Sequence, residues 1–347
     1  MTTCAADRMN LRRHDQAKIW GIVGLLLALL GCACLSVFIG TRFVAPAVTW
    51  QALTAFDPTQ SEHLLVHYLR VPRTLLAVVV AVGGALGVAG AMMQALTRNP
   101  LADPGILGVN AGATVAIVSA IALFGITDVF GYMWFGLIGA TIAGGAVYLL
   151  AGLRRGINPV RVVLAGSALS VVLLALTHII TVNSDQEVFN QFRHWAVGSL
   201  QGRGYDVLWP VTLLVALGLA LSMALRQALN TVSLGQDLGE ALGANPQRVW
   251  LLASSVIVVL SGAATSAAGP LSFVGLTAPH LARFLVGPDH RWLLPYSMLT
   301  AALLTVVADM LGRVIGYPDE ISVGIMVALI GGPFFVVLVR KWKIAQL

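Results

Sequence analysis

The sequence predicts an all-α integral membrane protein of about ten transmembrane helices with both termini cytoplasmic, and three observations predict it. First, 58% of the 347 residues are hydrophobic and 10% are charged, with a mean hydropathy of +0.86, whereas a soluble domain carries about 25% charged residues. Second, the apolar residues gather into ten runs, most near the roughly 20 residues a helix needs to cross the hydrocarbon core. Third, 15 of the 21 lysines and arginines fall on one side of those runs and 6 on the other. Cytoplasmic loops collect Lys and Arg, so the first side is the inner one. Adding or losing one span would scramble the division.

The first run, 19–40, follows Arg8, Arg12, Arg13 and Lys18 and holds 22 uncharged residues. It exceeds the apolar stretch of a cleaved signal peptide, so it reads as a first span behind a cytoplasmic tail, 1–18. The next runs are 71–94, 105–124, 131–152, 162–183 and 206–228. The last four are 249–268, 273–286, 293–314 and 321–340, so 19–341 forms one ten-span domain before a short cytoplasmic tail, 342–347. The eighth run is short and holds Pro279, His280 and Arg283, as a tilted or broken helix shielded by protein would. The outer connections are short except 41–70 and about 184–205. The 36 glycines suit close helix packing in lipid. Gly83–Gly90 and Gly262–Gly269 echo each other, as inverted halves of a transporter do. Cys4, Cys32 and Cys34 have no metal-like spacing and read as small apolar fillers.

Several chemistries are excluded by what is missing. The three lysines, Lys18, Lys341 and Lys343, follow no G-x-x-x-x-G, so no P-loop cradles a nucleotide. H-E-x-x-H, C-x-x-C and G-x-S-x-G do not occur. The chain therefore reads as a transport component with no catalytic, cofactor or metal site of its own. Its net charge of +6 reflects membrane topology rather than a nucleic-acid partner.

Four segments carry the functional reading. Asp103 before Pro104 reads as an N-cap followed by a first-turn proline, with a place at the inner mouth of a pathway as the functional alternative. The inner loop Ser233–Ala244 places Leu234, Leu238 and Leu242 at four-residue spacing among three glycines. Such a stripe packs onto its own bundle or docks into a cytosolic partner. Arg70 and Arg73 open the second span and Arg313 closes the ninth, against the positive-inside trend. They either snorkel to headgroups or pair with carboxylates of an external partner. Asp309 is expensive in hydrocarbon and lies one turn before Arg313, which predicts an intramembrane ion pair. The rival reading, a proton relay through Asp309, would make the chain a secondary transporter. A second rival is a lipid-modifying enzyme. His178 and His280 read as hydrogen-bonded interior residues.

Arg70–Arg73, Leu96–Ala113, Leu234–Ala244, Gly269–Leu276 and Pro279–Arg283 together resemble the FecCD permease family, the vitamin B12 and ferric-siderophore importers of the type II ABC class. Asn99–Gly112, Arg193–Leu200 and Val286–Trp292 are similar to the branch serving ferric enterobactin. The resemblance implies an inverted-repeat bundle in a bacterial inner membrane, paired with a paralogous subunit or a second copy of itself. It implies two copies of a cytosolic ABC ATPase, which hold the ATP and magnesium, and a periplasmic binding protein that delivers a ferric siderophore of catecholate type. Cobalamin, haem and hydroxamate cargoes remain open. By resemblance, Leu234, Gly235, Asp237, Leu238, Glu240, Leu242 and Gly243 couple to the ATPase, and Arg70, Arg73 and Arg313 grip the binding protein. The fifth and tenth spans line a pathway between protomers. The resemblance also implies an inner gate near the loop before the fifth span, at Asn158, Pro159 and Val160, where the sequence departs from the hydroxyl-bearing gate of the vitamin B12 permease.

Overall fold

A computed structural model describes residues 2–78, 83–152 and 158–341. Among them every regular element is helical. The first helix, α1 (Thr2–Phe38), begins far earlier than the predicted span; Asp15–Phe38 is its apolar part. The expected tail 1–18 is thus mostly the helix's own extension, because no Gly or Pro interrupts it before Gly21. The tail 342–347, with its Lys343, lies outside the described residues. So do residues 79–82 of the second run and Arg154, Arg155 and Ile157 near the fifth.

The long outer connection 41–70 folds into α2 (Pro46–Thr54), α3 (Ser61–Leu65) and a π-helical turn, Val66–Arg70, which leads into α4 (Val71–Val78). Then follow α5 (Gly83–Thr97), a tight 3₁₀ turn (Pro104–Leu107), α6 (Val109–Phe124), α7 (Val129–Leu150) and α8 (Pro159–Val182). The second long outer connection holds α9 (Gln186–Ala196), which precedes α10 (Tyr205–Ala224). On the inner side lie α11 (Arg226–Ser233) and α12 (Gln236–Ala241). The chain closes with α13 (Pro246–Ala268), α14 (Val274–Val286), α15 (His290–Ile315) and α16 (Val323–Lys341). Among the described residues six stretches, in α1, α7, α8, α10, α13 and α15, are long and apolar enough to cross a membrane. Four shorter apolar helices, α5, α6, α14 and α16, fill the remaining predicted runs.

Helix starts follow local chemistry. Asp103, Asn158 and Asn245 each precede a proline and accept an N–H with the side chain, from Gly105 (2.8 Å), Val160 (2.9 Å) and Arg248 (3.1 Å). Proline at the first helical position has no N–H to leave unpaired. All three sit on the inner side, so the sequence sets where these elements begin.

The core is built on α13, 78% of whose apolar stretch is buried, packed against α5, α7 and α10. The next layer is α15, which contacts α5, α14, α16 and α1. By contrast α1 and α8 bury only 11% of theirs. The eighth run is not broken: α14 continues through Pro279, and its Ala278 and Pro279 are fully inside. Its 13 residues reach about 20 Å, less than the roughly 30 Å core, and α5 and α15 enclose it. Proline has no N–H, so Pro279 removes the usual donor to the Gly275 carbonyl. Gly90 of α5 meets that carbonyl so closely that a Cβ would stand 1.8 Å from it.

Candidate functional site

Two groups of residues, one at each end of the bundle, carry the chemistry. At the inner end the loop Ser233–Ala244 holds one short helix, α12, joined to the preceding α11 by Leu234 and Gly235. Gly235 has φ 113°, a conformation that suits glycine. α11 seats Leu229 and Val232 in the bundle. Leu234, Leu238 and Leu242 are 58%, 59% and 66% exposed, so the chain itself does not cover the leucine stripe. Asp237 lies in the first turn of α12, and Gly243 ends the segment with φ 82°. Beside them opens a cleft of about 800 Å³. Gly235 and Glu240 form one side, Asn158, Pro159 and Val160 another, and Arg98, Asn245 and Trp250 complete it. The segment expected to couple and the segment expected to gate thus share one cavity, although about 75 residues separate them in sequence. Asp103 caps the Pro104 turn, where burial pushes its carboxyl up and the bond from Gly105 N–H only partly offsets this.

At the outer end, Asp309 is 1% exposed and bound from two sides. Arg313 Nη2 stands 2.9 Å from its Oδ2, one helical turn away as the spacing predicts. Arg73 reaches it from α4, with Nη2 2.7 Å and Nε 3.1 Å from Oδ1. Sequence reasoning missed that second pairing, which joins residues 236 apart. It also missed Glu320, whose Oε2 lies 2.6 Å from Arg73 Nη1. The only available signal was a carboxylate beside the last span. Arg313 also donates to the carbonyls of Ser36 and Ile39 and to Ser36 Oγ.

Arg70 is 5% exposed and donates to the carbonyls of Val37, Phe38 and Arg42. Gly40 leaves it room: a Cβ there would stand 2.6 Å from the guanidinium. Three guanidiniums and two carboxylates therefore close the outer end with one positive charge in excess, beside a cavity of about 170 Å³ that Arg42 also lines. The expectation of outward-reaching arginine forks differs from this arrangement. Burial in an apolar bundle requires each guanidinium to find partners, and here those partners are internal.

The histidines divide. His280 Nδ1 lies 2.9 Å from the Leu276 carbonyl, a bonded position of the expected kind. His178 is instead exposed on α8; the interior expectation fails because α8 is peripheral in this chain. Free Cys32 is half-buried and Cys34 exposed. Among the described residues no three His, Cys, Asp or Glu side chains gather to hold a metal.

The FecCD transport family matches residues 26–341. The ferric enterobactin transport system permease protein FepD of Escherichia coli is 44% identical over 92% of this chain and 95% of its own length. The Fe(3+) dicitrate transport system permease protein FecD of the same organism is 40% identical over 94% of this chain and 100% of its own. A chain from a metal-chelate type ABC transporter, solved in an inward-facing conformation, superposes with a TM-score of 0.80. It is 28% identical, covering 92% of this chain and 99% of that one.

Proposed function

Because this chain belongs to the FecCD transport family, whose members are membrane permease subunits of ABC importers, we propose that it carries a ferric siderophore of catecholate type from periplasm to cytoplasm. The energy comes from ATP hydrolysed on a partner. The observation that carries this reading is the uncovered leucine stripe on and flanking α12 beside the inner cleft. An apolar stripe exposed on the cytoplasmic side is a docking surface, and a cytosolic ATPase is the partner that would use it. Closure of that ATPase on ATP would push α12, and the cleft that α12 shares with Asn158–Val160 supports transmission to the start of α8.

The cargo path follows from what α8 presents. Between Val162 and Val182 it carries no Asp, Glu, Lys or Arg, and most of it is unburied. His178 and Ser167 lie on its exposed residues, which suits a protein-lined or wet surface better than lipid. Paired with the equivalent helix of a second permease and with α16, it would wall a wide path with few fixed charges. A ferric tris-catecholate carries three negative charges, and weak walls let such a cargo leave. The catecholate assignment is supported by the 44% identity to the enterobactin permease.

The proton-driven alternative requires Asp309 to face an open path. Instead Asp309 lies between Arg73 and Arg313. The test is uptake by the full complex in proteoliposomes, with labelled ferric enterobactin, ferric hydroxamate, ferric citrate, haem and cobalamin supplied on the binding protein. ATP-dependent uptake of the catecholate above the others is expected. Preference for another cargo refutes the cargo assignment, and uptake driven by a pH gradient without ATP refutes the importer reading.

A further inference from the structure

Asn230 lies on α11, four residues before the leucine stripe begins, and nothing in the proposed function uses it. Its side chain closes on the first turn of α15. Nδ2 donates to Asp289 Oδ1 at 2.8 Å. Oδ1 accepts the His290 backbone N–H at 2.9 Å and meets His290 Nδ1 at 2.6 Å. An amide that bonds through both its oxygen and its nitrogen fixes both position and orientation. Asp289 is meanwhile the N-cap of α15, accepting from Arg291 N–H at 3.0 Å. The clamp is therefore made to the helix start itself.

Motion of α12 has little freedom to bypass this clamp. Only Leu234 and Gly235 separate α11 from α12, and both their N–H groups bond back to α11, at the carbonyls of Thr231 and Val232. At its far end α15 carries Asp309 and Arg313, which bind Arg73 of α4 and the end of α1. From His290 to Asp309 is about 28 Å along a helix rising 1.5 Å per residue. One element thus joins the inner segment to the outer charge cluster.

We propose that Asn230 is a positioning residue that locks α11–α12 to α15, so that the ATPase-facing segment and the outer Arg73–Asp309–Arg313 cluster shift as one body. The inference rests on the ABC-importer reading and adds the route by which its two faces communicate. A packed helix with bonded ends is the kind of discrete two-position element that coupling requires.

The experiment uses the whole complex in lipid nanodiscs, with and without the binding protein loaded with ferric enterobactin. ATP hydrolysis is measured for wild type, Asn230→Ala and Asp289→Asn. Asn230→Ala is expected to assemble with the ATPase and keep basal hydrolysis within about twofold, while its stimulation by the loaded binding protein falls at least fivefold. ATP consumed per cargo delivered in proteoliposomes should rise. Asp289→Asn keeps an N-cap oxygen and should retain stimulation within about twofold. Full stimulation in Asn230→Ala, loss of ATPase assembly in that variant, or equal loss of basal and stimulated rates each overturns the proposal. A wild-type complex with no stimulation at all refutes instead the importer reading on which it stands.

Discussion

Replacing Asp309 by asparagine keeps the side chain's shape and removes its charge. In the protein this carboxylate, 1% exposed, is held by Arg313 at 2.9 Å and Arg73 at 2.7 Å. The two arginines are not equally dependent on it. Arg73 keeps Glu320 at 2.6 Å, whereas Arg313 retains as direct partners the neutral acceptors of Ser36, Ile39 and the Asp309 main chain, with Glu320 acting on it only from beyond contact. The loss is then close to one uncompensated buried guanidinium, about 3–5 kcal/mol. Removing the partner as well, in Asp309→Asn with Arg313→Gln, eliminates the unpaired charge and should recover part of that cost. The expected coupling between the two sites is at least about 1.5 kcal/mol. Equilibrium unfolding in mixed micelles measures both terms. Uptake in Asp309→Asn should remain ATP-dependent and follow the folded fraction. Additive single-site effects, within about 0.5 kcal/mol, or a single variant as stable as wild type, would show that the cluster is not an ion-pair lock. Complete loss of uptake in a fully folded Asp309→Asn would restore the proton-relay reading.

Leu238→Glu changes a side chain that is 59% exposed, so the isolated permease should stay within about 0.5 kcal/mol of wild-type stability while co-purification with the ATPase is lost. Gly90→Ala would drive a methyl group to 1.8 Å from the Gly275 carbonyl; since that obstacle is backbone and no side chain can swing aside, α5 and α14 must part, costing about 1–3 kcal/mol. Gly145→Ala meets nothing within 4 Å and should be neutral or mildly stabilising by thermal denaturation. Asp103 has its carboxyl raised by burial, so the folded protein binds a proton that the unfolded chain releases. Stability therefore declines as pH rises through the window from the ordinary carboxylate value of 3.8 to the raised one. Asp103→Asn keeps the cap on Gly105 and should flatten the pH dependence in that window, read as the unfolding midpoint against pH.

Much of the inner end was legible in the residues. Asp103-Pro104 announces a capped turn because a short carboxylate and a ring lacking N–H solve the same problem of orphan donors. The leucine spacing marked Leu234–Leu242 as a stripe. Which of its two readings fits, own bundle or partner, required exposure values that only packing provides. Asp309 and Arg313 were legible as a pair because one helical turn separates them. Arg73 and Glu320 were not, since a helix period says nothing about which helix lies alongside. The three outer arginines also had a sensible outward reading until burial gave each an internal partner.

The sequence by itself determined that the chain is helical and apolar enough to live in lipid, where its spans fall and which side collects positive charge. Those properties depend on composition and on periods of a few residues. Tertiary structure decided which residues meet across long separations: Arg73 with Asp309, Asn230 with Asp289 and His290, Gly90 with the carbonyl freed by Pro279. It also decided that α13 is interior and α8 peripheral, although their mean hydropathies, 1.8 and 2.2, would not separate them. Lipid and protein interior are similarly apolar solvents, so hydropathy places a helix in the membrane without saying which neighbour it packs against.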